Sequence, residues 1–587
     1  DNCTVMEEKM TVSEYIFDFF EKKGVKNVFM VSGSSAMWLT DALKRNEKLN
    51  AYCCHHEQVA AMAADGCGRV SDDVPGVCLV TIGPGATNAI TGVAGAFTDS
   101  SPMFVISGQS NSKILQYQQS TGIRQKGTQS INLEPLVSSS TKYFAAVMTP
   151  ESIRYHMEKA YYHAMEGRKG PVWLDIPIDI QNKQIPENMD GFTVNVEKES
   201  IDVAKTIENL KQSKKPLVMA GYGVRTSGCA DKLISFCESQ DIPVVTSRGG
   251  IDVISSDSRL FVGRPGSYGD RPSHFAIQEC DFLLILGSRL SVSTIGYYPD
   301  RFGKNAYKVM VDIDQKELDK GDVPVNENYC CDLSDFLDKI IAGADGDYDK
   351  KSRIEWIEHC RLLRNKYPIV TDEYRNSDVI NSYYFTEKLS EHTSENTKIV
   401  VDTGSVCNIV SQTWNIKHGQ RYIISGGLSC MGFWASAIGI STVSDKVIAL
   451  SGDGSTQMNI QDFATMKYYN LPLKLFVYNN NGYMLIRHNQ HNYMNDRFLG
   501  VGPDSGVQTP DFCRVADAYG LKTVKIANKS EIDEKLNEVF SYEGPVVCEV
   551  MVEEFGIIAP RIASRVMPDG SLKAAEFDDL WPFLDKD

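Results

Sequence analysis

The sequence predicts an α/β protein of three doubly wound domains, each built on a parallel sheet. Short apolar runs rich in Val, Ile and Leu recur along the chain, and longer amphipathic stretches separate them. Continuous apolar runs of this kind are typical of parallel strands that helices cover on both faces. The runs lie at 27–32, 77–83, 103–108, 172–176, 217–221, 244–247, 282–287, 307–314, 399–403, 447–452, 473–479 and 546–552.

The length of the chain also requires several domains. A single hydrophobic core rarely grows beyond about 250–300 residues, and this chain has 587. Polar segments at 181–200 and 343–376, rich in charged residues, are the predicted boundaries. We therefore expect domains at 1–185, 200–345 and 370–555, followed by a C-terminal arm at 556–587.

The composition and the net charge exclude some classes of function. The formal net charge of −16 argues against sequence-independent nucleic-acid binding, which needs clustered Lys and Arg. No run reaches the roughly 18 apolar residues of a membrane-spanning helix. The fifteen cysteines are scattered without a Cys-x-x-Cys pair, as in a reduced protein. We expect a cytoplasmic protein without nucleic-acid or membrane partners.

One pair of strand ends carries the residues of a metal site. Asp453 follows the run 447–452 within a Gly-Asp-Gly-Ser motif, and Asn480 follows the run 473–479. Because the carboxyl ends of parallel strands share one edge of a sheet, both loops lie where such folds bind ligands. The Asp453 carboxylate, the Asn480 amide oxygen and the backbone carbonyl of Gly482 suit Mg²⁺. The glycines let the backbone approach a diphosphate, so the sequence predicts a magnesium-diphosphate site.

Three further stretches extend this motif into a family pattern. They read His55-His56-Glu57-Gln58, Gly83-Pro84-Gly85-Ala86-Thr87-Asn88 and Ser425-Gly426-Gly427-Leu428-Ser429-Cys430-Met431-Gly432. With them, the chain resembles the acetolactate synthase-like branch of thiamine-diphosphate enzymes over nearly its whole length. The resemblance implies a pyrimidine-binding, a central and a diphosphate-binding domain, in that order. It also implies a homodimer or homotetramer with active sites between chains.

The resemblance assigns the catalytic candidates. Glu57 lies where relatives place the carboxylate that shares a proton with the pyrimidine N1′ of the cofactor. Gln109 and Gln129 match positions that line the reaction cavity. His56 is a further acid–base candidate, whereas His55 is expected to pack structurally.

The residues around the cofactor follow from the same resemblance. Met431 matches the bulky side chain that holds the thiazolium and pyrimidine rings in contact. Ser429, which stands where relatives often have Gly, offers its backbone to the pyrimidine. The expected diphosphate side consists of Thr403, Gly404, Ser405, Gly452, Gly454, Ser455 and Tyr483.

The central domain departs from the pattern at one position. Gly-rich strand ends at 220–223, 266–267 and 287–289 resemble the flavin-binding domain of acetolactate synthases and suit the phosphates of a dinucleotide. Tyr222 stands in place of a Gly. Two alternatives therefore stay open: the domain binds FAD, or it is purely structural.

The second substrate is where the pattern changes most. Relatives hold the acceptor carboxylate with an Arg in the loop after 287–289, where this chain has Ser293. Asn489 replaces a Trp beyond the metal loop. An Arg–carboxylate fork is the strong way to bind an oxo acid, so its loss indicates an acceptor without that carboxylate.

The predicted function is decarboxylation of a 2-oxo acid donor, with pyruvate as the expected donor, and carboligation of the acyl unit onto an aldehyde or ketone such as a keto-sugar. The alternatives are a true acetolactate synthase, a simple 2-oxo acid decarboxylase and a non-catalytic homologue. The intact Glu57, Asp453 and Asn480 disfavour the last of these.

Overall fold

The computed structural model describes residues 10–71, 73–195, 200–344, 346, 348–567 and 571–585. These residues form three six-stranded sheets flanked by helices. All strand pairs within the three sheets are parallel. The predicted fold class is therefore confirmed, while the exact domain limits stay predictions. Within the described ranges, no helix is both long and apolar enough to cross a membrane.

The first domain holds the first sheet. Its strands are β1 (Asn27–Met30), β2 (Asn50–Cys53), β3 (Gly76–Val80), β4 (Met103–Gln109), β5 (Tyr143–Ala146) and β6 (Pro171–Pro177). Its helices are α1 (Val12–Lys22), α2 (Met37–Arg45), α3 (Glu57–Val70), α4 (Pro84–Thr98), α5 (Ser112–Thr121), α6 (Glu134–Val137), α7 (Ile153–Met165) and α8 (Ile178–Gln181). The strand order is β2-β1-β3-β4-β6-β5.

The central domain has a different strand order. Its strands are β7 (Pro216–Ala220), β8 (Val244–Thr246), β9 (Phe261–Gly263), β10 (Phe282–Leu286), β11 (Tyr307–Asp312) and β12 (Glu327–Cys330). Its helices are α9 (Ala204–Gln212), α10 (Tyr222–Thr226), α11 (Ala230–Gln240), α12 (Arg271–Glu279), α13 (Val292–Ile295), α14 (Gln315–Asp319) and α15 (Leu333–Ala344). The order β9-β8-β7-β10-β11-β12 is that of dinucleotide-binding folds, with its switch point between β7 and β10.

Two helices, α16 (Lys350–Lys366) and α17 (Asp372–Asn376), lead to the third domain. Its strands are β13 (Lys398–Val401), β14 (Arg421–Ile424), β15 (Val447–Gly452), β16 (Leu473–Asn479), β17 (Lys522–Ile526) and β18 (Val546–Met551). Its helices are α18 (Ser382–His392), α19 (Ser405–Thr413), α20 (Ser436–Ile440), α21 (Asp453–Gln457), α22 (Phe463–Tyr468), α23 (Met484–Met494), α24 (Phe512–Ala518) and α25 (Ile532–Ser541). The order β14-β13-β15-β16-β18-β17 repeats the arrangement of the first sheet.

The first and third domains pack through helices α3 and α20. A Cβ placed on Gly66 would lie 2.2 Å from the Ser436 carbonyl oxygen, and one on Gly439 would lie 1.8 Å from that of Ala63. The two helices therefore meet backbone to backbone, which only glycine allows. One hydrophobic cluster runs through this contact and joins the two domains.

The C-terminal arm lies on the central domain. It forms a small antiparallel pair, β19 (Ser564–Val566) and β20 (Leu572–Ala574). The His274 and Phe577 rings stack with centroids 4.1 Å apart, and Arg301 donates to the Ala574 carbonyl at 3.1 Å. The arm thus covers a face of the central domain.

Candidate cofactor site

The two predicted metal loops meet at the carboxyl edge of the third sheet. Strands β15 and β16 are neighbours, with Gly452 opposite Tyr478. Asp453 is 1% exposed, and its carboxylate accepts hydrogen bonds from Gly454 N and Gly482 N, each at 2.8 Å. The second bond ties the loop after β15 directly to the loop after β16.

The residues at this edge fit a divalent cation. Asn480 is 4% exposed, and its Oδ1 has no hydrogen-bond partner among the described residues. A buried acceptor left without a partner is unfavourable by about 1–3 kcal/mol, so the atom is suited to a ligand. Burial raises the pKa of the Asp453 carboxyl to about 6, a cost to the carboxylate that a bound cation would offset. Hard oxygen atoms of this kind are what Mg²⁺ prefers.

Two glycines of these loops cannot be replaced without moving their neighbours. A Cβ on Gly454 would lie 2.0 Å from the Tyr483 ring, which therefore packs directly on the Asp453 loop. Gly482 has a φ of +134°, and a Cβ there would lie 2.1 Å from the Val501 carbonyl oxygen. Ser455 is buried in the first turn of α21. The motif is thus compact because Tyr483 and Val501 fill the space that side chains would need.

Asp402 ties three loops of the site together, a role that the sequence analysis missed. It is fully buried at the end of β13 and accepts hydrogen bonds from Thr403 N at 2.8 Å, Ser451 Oγ at 2.9 Å, and Phe433 N and Trp434 N at 3.2 Å each. Burial raises the pKa of its carboxyl to about 6. The sequence feature that could have indicated this role is an acidic residue directly after a buried strand.

The loop that begins with Thr403 opens at the same sheet edge. Gly404 has a φ of +84° and caps α19, and a Cβ on it would meet no atom within 4 Å. Ser405 begins the helix. The predicted Thr403, Gly404 and Ser405 therefore lie around open space beside the metal loops.

The segment 425–432 is held by a buried acidic residue of the first domain. Asp99 accepts hydrogen bonds from Gly426 N at 3.0 Å and Gly427 N at 2.7 Å, and it pairs with Arg69 at 2.9 Å. Ser429 has a φ of +53°, in the left-handed region that favours glycine. This conformation gives a physical reason for the Gly that relatives often have there. Met431 follows and is half-buried.

The pyrimidine-side residues surround the start of α4. Glu57 begins α3, is half-buried, and its Oε2 accepts a hydrogen bond from Asn88 Nδ2 at 3.0 Å. His56 caps the same helix, since its Nδ1 accepts from Gln58 N at 3.1 Å. Gln129 is exposed with a φ of +59°, and its carbonyl oxygen lies 2.7 Å from a Cβ placed on Gly83. The fold thus brings Glu57, His56 and Gln129 near one another.

Gln109 differs from its predicted place. It is 0% exposed, and its Nε2 donates to Asp175 at 2.8 Å and to the Ile131 carbonyl at 3.1 Å. Its Oε1 accepts from Ser110 N. Burial raises the pKa of the Asp175 carboxyl to about 7, and Gln109 stabilises that carboxylate instead of lining a cavity.

Within one chain, Glu57 lies far from the segment that should bend the cofactor. Gly85, beside Glu57, is near the start of α4, whereas a Cβ on Gly95 would lie 3.9 Å from Leu428 of the segment 425–432. Ten helical residues separate these glycines, which is about 15 Å along the axis. Glu57 and Leu428 therefore lie near opposite ends of α4.

A large cavity of about 500 Å³ lies between the three domains at the switch point of the central sheet. Gly223 and Gly287 are packed there, with 2.6 Å between a Cβ on Gly223 and the Gly287 Cα. Arg248 and Arg289 line the cavity, and neither pairs with a carboxylate within the described ranges. Glycine-rich strand ends and two unpaired guanidinium groups suit an anionic ligand. Tyr222 also lines the cavity.

Comparison with known proteins agrees with this geometry. Three family models match: the N-terminal TPP binding domain of thiamine pyrophosphate enzymes at residues 10–133, their central domain at 203–340 and their C-terminal TPP binding domain at 402–550. A probable acetolactate synthase large subunit of Methanocaldococcus jannaschii is 30% identical over 97% of this chain and 98% of its own. The acetolactate synthase large subunit of Lactococcus lactis is 29% identical over 96% of each chain. Acetolactate synthase isozyme 2 of Escherichia coli has a large subunit that is 28% identical over 94% of this chain and 97% of its own.

The chain therefore belongs to the thiamine pyrophosphate enzyme family, in its acetolactate synthase-like branch. The predicted cofactor, thiamine diphosphate, and the predicted class, a carboligase that depends on it, are confirmed.

Proposed function

We propose that the protein decarboxylates pyruvate and transfers the acyl unit to an aldehyde or ketone that carries no carboxylate, such as a keto-sugar. The observation that carries the choice of acceptor is Ser293. It is exposed on the wall of the large cavity, and its hydroxyl bonds to Ser291 Oγ at 2.9 Å. A serine cannot form the charged fork that holds an acceptor carboxylate.

In this proposal, Asp453, Asn480 and the Gly482 carbonyl hold Mg²⁺. The Thr403–Ser405 loop, the 452–455 loop and Tyr483 surround the diphosphate. The orphaned Asn480 Oδ1 and the Asp453–Gly482 hydrogen bond support this ligand set. Met431 and the Ser429 backbone support the rings.

Thiamine diphosphate, when bound, supplies a nucleophilic carbon and an electron sink for decarboxylation and carbon–carbon bond formation. The protein supplies the proton position, since the Glu57 carboxyl group would hold a proton at the pyrimidine N1′. Asn88 fixes Oε2 of Glu57, which leaves Oε1 without a hydrogen-bond partner in the described part of the chain. The donor's carboxylate leaves as CO₂, so a strong clamp on it would stabilise the substrate more than the transition state.

We propose further that each active site forms between two copies of the chain. The opposite placement of Glu57 and Leu428 on α4 supports this, because one copy cannot bring both to the same cofactor. Apolar side chains also stay exposed on the two cofactor domains, among them Phe97, Leu428, Met458 and Leu499. A second copy would cover such surface in a homodimer or homotetramer.

The large central cavity is proposed to bind FAD. Its place at the switch point, its volume of about 500 Å³ and the unpaired Arg248 and Arg289 support a dinucleotide. The absorbance spectrum of freshly purified protein, repeated after incubation with FAD, tests this. Absence of a flavin band in both spectra would leave the domain purely structural.

The test of the function is product analysis by mass spectrometry with pyruvate alone and with pyruvate plus neutral ketones, aldehydes and keto-sugars. We expect slow acetolactate formation and faster transfer to a neutral acceptor. Ser293→Arg should raise acetolactate formation roughly ten- to a hundredfold, the value of charge-assisted hydrogen bonds to a carboxylate. Val292→Arg, which puts the same charge on the exposed neighbour, is the control and should leave acetolactate formation unchanged.

If pyruvate alone gives acetolactate as fast as the best neutral acceptor, another cation binds the acceptor carboxylate. The protein is then a true acetolactate synthase, the function that the names of its relatives favour. Free aldehyde as the main product would instead indicate a simple decarboxylase.

A further inference from the structure

A second cavity, of about 240 Å³, lies away from the cofactor site at the junction of the central domain, α16 and the third domain. The wall from the central domain holds Arg264, just after β9, and the linker contributes Arg364 near the end of α16. The third domain contributes Thr413, the last residue of α19. The cavity is therefore built by three parts of the chain that are distant in sequence.

Arg264 is 6% exposed and holds the third domain in place. Its guanidinium donates to the Ser411 carbonyl at 2.9 Å, the Trp414 carbonyl at 2.7 Å and Ser256 Oγ at 3.3 Å. Its Nε, however, has no partner within the described ranges. Thr413 is 8% exposed, and its Oγ1 likewise lacks a hydrogen-bond partner in the structure as described. Two residues of the cavity wall thus each keep one buried donor atom without a hydrogen-bond partner among the described residues.

Arg364 adds a second cation. It donates to the Phe261 carbonyl at 3.1 Å and the Ser256 carbonyl at 3.0 Å, which uses two of its five N–H groups. Both guanidinium groups lie over the Phe261 ring, with distances to its centroid of 5.3 Å for Arg264 and 4.8 Å for Arg364. In the described part of the chain, neither guanidinium forms an ion pair with a carboxylate. Burial lowers the pKa of Arg264 to about 10, an effect that the nearby Asp270 only partly offsets.

The side chains that line the cavity carry more positive than negative charge. Arg375 also lines the cavity, but Glu387 binds it with two hydrogen bonds of 2.8 and 3.2 Å. Asp270 also lines the cavity, and its carboxylate accepts hydrogen bonds from the backbone N–H groups of Arg264 and Ser273, at 2.6 and 2.9 Å. Among the residues that line the cavity, three guanidinium groups thus face two carboxylates. Asp372, which also pairs with Arg375 at 3.3 Å, lies outside this lining, so the lining itself carries one positive charge in excess.

We propose that this cavity binds a small oxyanion of the phosphate class. Donors come from three separate elements, at Arg264 Nε, Arg364 and Thr413 Oγ1, and a tetrahedral oxyanion can offer an oxygen to each. The end of α19 would normally repel an anion, but Arg264 already covers the carbonyls of Ser411 and Trp414 there.

The experiment is calorimetric titration of the full-length protein with inorganic phosphate. Saturating thiamine diphosphate, Mg²⁺ and FAD are present to occupy the other anion-binding regions. We expect saturable binding of one phosphate per chain. Arg364→Met, which keeps the apolar stem, should weaken it at least about tenfold, and Thr413→Val should weaken it about fivefold through the loss of one hydrogen bond. Val has nearly the same shape as Thr, so Thr413→Val should fold normally. It therefore still tests the proposal if Arg364→Met folds poorly.

Arg361→Met is the matched control, because Arg361 lies one turn earlier on α16, is exposed and pairs with Glu358. Its phosphate affinity should equal that of the wild type. The proposal is overturned if no saturable binding occurs up to about 10 mM phosphate. It is equally overturned if Thr413→Val and Arg364→Met bind phosphate as well as the wild type, since the ion then binds elsewhere.

Discussion

Asp453 and Gly482 are joined by a hydrogen bond of 2.8 Å from the Gly482 amide to the Asp453 carboxylate, across two neighbouring strands of one sheet. This bond fixes the loop that presents the Asn480 side chain relative to the carboxylate. The two proposed oxygen ligands would therefore be oriented before a cation binds, which lowers the entropy that binding must overcome.

Replacement of Asp453 should remove the metal and the cofactor together. Loss of even an indirect partner of a metal ligand lowers affinity about 10–100-fold, so Asp453→Ala should weaken Mg²⁺-dependent binding of thiamine diphosphate by at least that factor. Calorimetric titration at fixed Mg²⁺ measures the change. Asp496→Ala, which removes an exposed carboxylate beyond α23, is the control and should bind normally. Unchanged cofactor affinity in Asp453→Ala would refute the metal assignment.

Glu57→Gln should bind the cofactor but fail to activate it. The amide keeps the shape and the hydrogen bond to Asn88, yet it has no ionisable proton to transfer to the pyrimidine N1′. Exchange of the cofactor C2 proton with deuterium, followed by NMR, should slow about 10²–10⁴-fold. His56→Asn is the comparison, because Asn can replace His56 as the cap of α3 and should preserve exchange. Normal exchange in Glu57→Gln would remove the residue from this role.

The buried Asp175 should make stability depend on pH. Its pKa is raised from 3.8 to about 7 by burial, so the folded protein keeps a proton that the unfolded chain loses between these values. The stabilisation is complete below pH 3.8 and disappears as pH rises through about 7, and it amounts to at most about 4 kcal/mol. Asp175→Asn should therefore lose less stability than the wild type between pH 5 and pH 8. Urea unfolding followed by tryptophan fluorescence measures both; equal losses would contradict the assignment.

The parts of the molecule that could be predicted from sequence are those that a short continuous segment determines by itself. Apolar runs specify the twelve inner strands, and the Gly-Asp-Gly-Ser and Asn-Asn motifs specify the predicted metal loops, because each pattern acts within a few residues. No predicted run matches the six edge strands, which are β2, β5, β9, β12, β14 and β17. Gly454 and Gly482 belong to these motifs, but the atoms that exclude a side chain there come from Tyr483 and Val501, further along the chain.

The roles that the sequence did not reveal depend on distant partners. Asp99 holds Gly426 and Gly427, more than three hundred positions away, and nothing near Asp99 indicates that contact. Gln109 is buried, and its amide donates a hydrogen bond to Asp175 on the neighbouring strand β6. Asp402 binds backbone groups that only the folded chain brings to it. Burial and long-range hydrogen bonds are properties of packing, which local patterns do not encode.

The most direct test of the proposed active site is complementation between Glu57→Gln and Asp453→Ala. Each variant alone should be inactive, because every site lacks either the carboxylate or the metal ligand. If the site forms between copies, a mixed dimer contains one intact site, built from Glu57 of one copy and Asp453 of the other. Random co-assembly of the two variants should then restore about a quarter of the wild-type carboligation rate. A co-assembled mixture as inactive as either variant alone would place both residues in a site within one chain and contradict the account.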